Sequence, residues 1–65
     1  MLRLKIARVK KDWTQEELAK KSNVGRVTIS NIERKGIENI PVYTLRKIAK
    51  ALDTTVQELF FSEEE

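Results

Sequence analysis

The chain has 65 residues, enough for one domain with a single hydrophobic core. The absence of Cys and His excludes disulfides, thiol or imidazole catalysis and Cys/His zinc sites. Residues 1–36 carry ten Lys or Arg and four Asp or Glu, a net of +6, whereas residues 37–65 carry three and six, a net of −3. This asymmetry suggests a polyanionic partner, although composition alone favours a solvated surface with a chance asymmetry of charge. No apolar run is long enough to span a membrane and no signal-peptide pattern is present, so we expect a cytoplasmic protein without a membrane partner.

Five segments carry helical signals. The first, residues 2–11, is apolar on two sides, with Leu4 and Ala7 on one side and Leu2, Ile6 and Val9 on the other. We expect both sides to be buried, the second one against the chain's own C-terminal segment. An exposed second side would instead indicate a partner chain.

The second segment has the clearest helix start. Thr14 and Glu17 form a predicted capping box, and Trp13 and Leu18 stand at the positions of a hydrophobic staple. Asn23 tolerates the left-handed conformation that ends a helix.

The third segment follows after only the residues "NVG" and starts at about Arg26, behind Gly25 as N-cap. A turn this short makes the second and third helices cross steeply, as in a helix-turn-helix. Ile29 and Ile32 face inward. The outward face then carries Arg26, Val27, Ser30, Asn31 and Arg34.

A loop with Gly36, Asn39 and Pro41 precedes the fourth segment. That segment places an apolar stripe at helical spacing, consisting of Val42, Leu45, Ile48, Ala49 and Leu52. The fifth starts with a second predicted capping box, Thr55 with Glu58, and closes the core with Leu59 and either Phe60 or Phe61. The pattern predicts an all-α, compact five-helix domain over residues 1–65, with the helix-turn-helix at about 14–34 and a solvated acidic tail at 62–65.

Residues 14–35, "TQEELAKKSNVGRVTISNIERK", resemble the helix-turn-helix of the lambda repressor and Cro-like regulators. The resemblance extends from Leu4 to Phe60. The matching elements are Gln15, Ala19, Val24, Ile29, Ile32 and Glu33. The resemblance implies that Arg8 and Glu33 form an internal salt bridge between the first and third helices.

The chain departs from the family pattern at four positions. Asn23 replaces a turn glycine, and Asp12 replaces the glycine that commonly ends the first helix, which leaves the geometry of the first connection open. Gly25 replaces a hydroxylated cap that often touches phosphate. Ser22 occupies a usually apolar position, so its hydroxyl needs a partner.

The resemblance implies that the third helix reads the major groove of double-stranded DNA. Arg26 suits guanine O6 and N7, Asn31 suits adenine N6 and N7, and Val27 suits a thymine methyl. Ser30 serves a base or a phosphate. Candidate phosphate contacts are Gln15, Arg34, Lys35 and Asn39.

Relatives of this kind bind pseudo-palindromic operators as homodimers, and the resemblance points to a dimer surface around Gln57, Phe60 and Phe61. We therefore expect a transcriptional regulator, most simply a repressor, without cofactor, metal or small-molecule ligand. The alternative is a protein-interaction module on the same scaffold, such as an antitoxin. An enzyme is not expected, because the exposed Glu16 and Glu17 are consecutive and diverge around their helix.

Overall fold

The computed structural model describes residues 1–61, which form five α-helices. They are α1 (Leu2–Lys10), α2 (Gln15–Ser22), α3 (Arg26–Lys35), α4 (Val42–Ala51) and α5 (Val56–Phe60). Within residues 1–61 there is no strand. The all-α, five-helix prediction is confirmed, whereas the predicted acidic tail at 62–65 lies outside the described residues.

The start of α2 has both hydrogen bonds of the predicted capping box. The backbone N–H of Glu17 donates to Thr14 Oγ1 at 3.1 Å, and the backbone N–H of Thr14 donates to Glu17 Oε1 at 2.8 Å. Asn23 ends the helix in the left-handed conformation, with φ 59°. The capping box fixes the first turn of α2, and the left-handed Asn23 fixes its end.

The predicted capping box of α5 is only half present. Thr55 Oγ1 accepts from the backbone N–H of Glu58 at 3.1 Å, as expected. The Glu58 carboxylate, however, accepts from the Thr54 hydroxyl at 3.1 Å and not from the backbone N–H of Thr55. A neighbouring hydroxyl has taken the place of the backbone donor.

Asp12 settles the connection between α1 and α2, which the sequence left open. It adopts a φ of 64°, so it takes the left-handed conformation that a glycine commonly supplies at this point. Asp53 does the same after α4, with a φ of 57°. In both places an aspartate adopts the left-handed conformation in which a glycine commonly ends a helix.

The core lies where α2 packs on α3 and α4, and where α1 packs on α3. Its fully buried side chains are Leu4, Leu18, Ile29, Ile32, Leu45 and Ile48. Ser22 is also buried, and its hydroxyl donates to the Leu18 carbonyl oxygen at 2.7 Å, which satisfies the polar atom.

One prediction of burial is wrong, and the predicted apolar stripe of α4 is buried only in part. Val42 is exposed, because it is the first residue of α4 and the stripe meets the core only from Leu45 onward. Leu2, Ile6 and Val9 are exposed as well. The reason is that α5 has five residues, a length of about 7.5 Å, which is too short to cover the outer side of α1.

Candidate nucleic-acid interface

α3 is fixed to the domain by one side and presents the other. Ile29 and Ile32 are 0% exposed on the inner side. On the outer side Arg26 and Arg34 are exposed, and Val27 is 68% exposed although it is apolar. Ser30 and Asn31 are half-buried. The predicted mixed face is thus present on a helix that the core holds firmly.

The start of α3 lies beside the start of α2. Arg26 Nη1 donates to Gln15 Oε1 at 3.5 Å, a long hydrogen bond between exposed atoms. Gly25 is the N-cap and offers no side chain to the first turn of α3. The predicted base-contacting Arg26 and the predicted phosphate-contacting Gln15 are therefore neighbours.

Gln15 also connects to a charged pair beneath it. Its Nε2 donates to Glu33 Oε1 at 3.0 Å. Glu33 in turn accepts from Arg8 Nε at 2.7 Å and from Arg8 Nη2 at 3.2 Å, so the salt bridge that the resemblance implied is present and has two hydrogen bonds. Arg8 Nη1 donates to the Trp13 carbonyl oxygen at 2.7 Å. The network joins α1, α2 and α3.

The Arg8–Glu33 pair is largely withdrawn from solvent, with 11% and 6% of the two side chains exposed. Burial acts to raise the pKa of the Glu33 carboxyl. Hydrogen bonds from Arg8 and Gln15, together with the charges of Arg8 and Lys5, outweigh burial and hold that pKa below its ordinary value. Glu33 is accordingly ionised at neutral pH and fixes its two donors electrostatically.

These contacts limit what the Gln15 side chain can offer a phosphate. One amide hydrogen is directed to Glu33, and the amide oxygen accepts from Arg26. The remaining amide hydrogen is available, together with the backbone N–H groups of Gln15 and Glu16, which have no acceptor inside the helix, whereas the N–H of Glu17 already donates to Thr14.

Asn31 is held by its neighbour one turn along. Arg34 Nη2 donates to Asn31 Oδ1 at 2.8 Å. Adenine recognition by an asparagine uses the same oxygen to accept from N6. Arg34 must therefore share or release this oxygen when Asn31 meets a base, a coupling that the sequence did not predict.

The C-terminal end of α3 carries the second group of predicted phosphate contacts. Lys35 and Asn39 are both exposed, on either side of Gly36, whose φ of 102° turns the chain away from the helix.

The amino group of Met1 donates to the main-chain oxygen of Ile32 at 2.9 Å and also to that of Glu33. No residue pattern indicates that contact, because it is made to backbone atoms 31 and 32 residues away.

Comparison with known proteins agrees with this geometry. The matching family model is described as helix-turn-helix and covers residues 4–59. A hypothetical transcription factor of Neisseria meningitidis is 36% identical over 62 residues, covering 95% of this chain and 58% of the relative. An HTH-type transcriptional regulator of Archaeoglobus fulgidus is 40% identical over 63 residues, covering 97% of this chain and 87% of the relative.

A third relative is the antitoxin HipB of Escherichia coli K12, 38% identical over 53 residues, which cover 82% of this chain and 59% of HipB. The chain thus spans a little more than half the length of the Neisseria protein and of HipB. No solved structure gives a significant match. The match over residues 4–59 and the identity to these relatives establish that the chain belongs to the lambda repressor/Cro-like family of helix-turn-helix proteins.

Proposed function

We propose that the protein is a sequence-specific regulator of transcription that binds double-stranded DNA, and that it acts as a repressor. The observation that carries the proposal is the outer face of α3. Arg26 and Val27 stand exposed at the start of a helix whose opposite side is fully buried. Residues at the start of the second motif helix are the ones that reach base edges in this architecture.

The chemistry of the face suits the major groove. Arg26 supplies two parallel donors for guanine, Val27 an apolar contact for the thymine methyl, and Asn31 a donor and an acceptor for adenine. Each good bidentate contact contributes about 1–3 kcal/mol of discrimination against the wrong base. Ser30, half-buried beside them, serves a base or a phosphate.

Phosphate contacts at both ends of α3 would set the register of the helix on the duplex. At one end we assign Gln15 and the start of α2. At the other we assign Arg34, Lys35 and Asn39. Asn39 has a φ of 67° at a turn of the backbone, and its side chain is exposed. The excess of positive charge in residues 1–36 favours the same partner.

A single α3 touches few base pairs, so a homodimer on a pseudo-palindromic operator is the natural form of this readout, with half-sites about 34 Å apart. Such a dimer represses by occupying the operator.

In the described residues no helix is long and apolar enough to cross a membrane. We further propose a cytoplasmic protein without enzymatic activity, cofactor or small-molecule ligand.

The test is in vitro selection of duplex DNA from a random library at about 0.15 M salt, where non-specific phosphate attraction is already weakened. The proposal predicts an enriched palindrome with half-sites about one helical turn apart. A folded protein that enriches no sequence would contradict it.

The similarity to HipB supports a second candidate, a protein-interaction module of the antitoxin type. This candidate predicts that substitutions on the outer face of α3 leave the biological activity intact. The first candidate predicts that Arg26→Ala weakens it. A transcription reporter assay that compares the wild-type protein with Arg26→Ala separates these outcomes.

A further inference from the structure

Arg34 holds the side-chain amide of Asn31 in one orientation. The two residues lie three positions apart on α3, and Arg34 Nη2 donates to Asn31 Oδ1 at 2.8 Å. A guanidinium has donors and no acceptor, so the amide atom that faces it is the oxygen and not the nitrogen. The amide nitrogen of Asn31 therefore lies on the side away from Arg34, and within residues 1–61 it donates to no other atom.

Without this hydrogen bond the Asn31 amide would have no fixed orientation. The last side-chain bond of an asparagine has a broad torsional preference, so the amide can turn over and exchange the places of its oxygen and nitrogen. Asn31 is half-buried, and in the described part of the chain its side chain has no hydrogen bond except the one from Arg34. Arg34 is thus the group that fixes where the acceptor and the donor of Asn31 lie.

The orientation of the amide determines which base edge it can match in the major groove. Adenine presents a donor, N6, beside an acceptor, N7, and so matches an amide oxygen beside an amide nitrogen. Guanine presents two acceptors, O6 and N7. An amide that turns over freely can direct its nitrogen to either guanine acceptor. An amide with a fixed oxygen opposes that oxygen to O6 when its nitrogen meets N7, and two acceptors in contact repel each other.

Arg34 can stay on Asn31 while adenine binds. An amide oxygen has a second lone pair, so Asn31 Oδ1 can accept from Arg34 and from adenine N6 at the same time. The hydrogen bond to Asn31 uses only Nη2, and the other N–H groups of the exposed guanidinium remain available to a phosphate. The phosphate contact assigned to Arg34 is therefore compatible with its hold on Asn31.

We propose that Arg34 is a positioning residue that makes Asn31 select adenine over guanine. The inference rests on the proposed function, since it needs α3 in the major groove, and it adds the residue that sets the base preference at one position. Phosphate binding alone would give Arg34 the same effect on every DNA sequence. Positioning predicts an additional effect, confined to the base pair that Asn31 reads.

The test measures affinities for the selected operator and for its single base-pair variants by fluorescence anisotropy. Asn31→Ala identifies the base pair that Asn31 reads, because its preference is lost there. Arg34→Met removes the donor and the charge and retains a long, unbranched side chain. We expect Arg34→Met to weaken binding to every duplex and, at the identified pair alone, to lower the ratio of adenine to guanine affinity about 3-fold to 10-fold, the range that one hydrogen bond supplies.

Two controls separate positioning from charge. Lys35→Met removes the neighbouring exposed charge of α3, which has no hydrogen bond to Asn31, so it should weaken binding to every duplex and leave the ratio unchanged. In the Asn31→Ala background, Arg34→Met should no longer change the preference at the identified pair. A ratio that Arg34→Met leaves unchanged, or alters as much without Asn31 as with it, would overturn the proposal.

A second measurement uses the free protein. NMR relaxation of the Asn31 side-chain amide reports how firmly that amide is held on the fast timescale. Its order parameter should fall in Arg34→Met and stay at the wild-type value in Lys35→Met. Equal order parameters in wild type and Arg34→Met would overturn the proposal, because Arg34 would then not hold the amide.

The outcome is distinguishable from a failure of the proposed function. A folded protein that enriches no DNA sequence would overturn the proposed function, and the role of Arg34 with it. A protein that selects an operator, but whose adenine preference does not depend on Arg34, would overturn the role of Arg34 alone. So would an operator at which Asn31→Ala removes a preference for guanine.

Discussion

Glu33 connects three helices through its hydrogen bonds. It accepts from Arg8 on α1 and from Gln15 on α2, and it is itself on α3. Three helices that differ in direction are thereby held to one carboxylate. The side chain that supplies Gln15 with its orientation is thus a buried acid that has no predicted contact with DNA.

We expect Glu33→Gln to lower the free energy of unfolding at pH 7 by about 3 kcal/mol, since it leaves the buried Arg8 guanidinium without its counter-charge. Urea denaturation followed by circular dichroism measures the change. A loss below about 1 kcal/mol would mean that the pair behaves like an exposed surface salt bridge.

The same substitution changes the dependence of stability on pH. The pKa of Glu33 is lowered in the folded protein, so the unfolded chain binds a proton first as pH falls. The stabilisation by ionised Glu33 is complete above the unfolded pKa of about 4.3 and is lost as pH falls through the lower, folded value. The unfolding free energy of wild type should therefore decline more steeply below about pH 4.3 than that of Glu33→Gln. Parallel curves for the two proteins would contradict this role.

Local signals decide where the helices begin and end. The capping box of Thr14 and Glu17 involves residues three positions apart, so its geometry is encoded in the sequence around it. At α5 the same pattern gave only one of the two bonds, because Thr54 precedes Thr55 and offers a competing hydroxyl. A pattern of residue types does not rank two adjacent donors.

We expect Thr14→Ala to destabilise the domain by about 1 kcal/mol, because the N–H of Glu17 loses its acceptor at the start of α2. Thr14→Ser is the matched control, since it retains the hydroxyl and should remain close to wild type. Thermal unfolding of the three proteins at one pH gives the comparison. Equal stability of Thr14→Ala and Thr14→Ser would show that the hydroxyl contributes nothing.

Burial was predictable where it depends on one helix and its nearest neighbour, and not where it depends on the length of another element. The inner sides of α2 and α3 were predictable from spacing alone, and Leu18, Ile29 and Ile32 are buried. The fate of the second side of α1 depended on how far α5 reaches, and five residues reach too little. Which of Phe60 and Phe61 is buried depended in the same way on the rotation of α5.

The candidate site also has features that the sequence predicted and features that it did not. The outer face of α3 was readable from helical periodicity, and the Arg8–Glu33 pair came from the family resemblance. The hydrogen bonds of Gln15 to Glu33 and Arg26, and of Arg34 to Asn31, depend on side-chain rotamers and on atoms of other turns. No residue pattern fixes those, so the roles assigned to Gln15 and Asn31 gained constraints that the sequence did not contain.

At the scale of the whole molecule, the basic half of the chain should determine how affinity depends on salt. We expect Lys35→Ala to weaken specific and random duplexes alike and to reduce the slope of log affinity against log salt by about one unit. Lys50→Ala is the matched control, because Lys50 is exposed near the end of α4 and has no assigned contact. Fluorescence anisotropy between low and moderate salt gives both slopes. An unchanged slope for Lys35→Ala would remove that residue from the interface.

Arg26→Ala tests whether α3 reads bases through its outer face. The measurement is the affinity of wild type, Arg26→Ala and the control Arg46→Ala for the selected operator and for each single base-pair change in one half-site. We expect Arg26→Ala to lose about 1–3 kcal/mol of preference at one base pair and to keep the others, whereas Arg46→Ala, on the exposed surface of α4, should keep all of them. An equal loss on every sequence, random DNA included, would show that Arg26 contacts only the phosphate backbone and would contradict the claim.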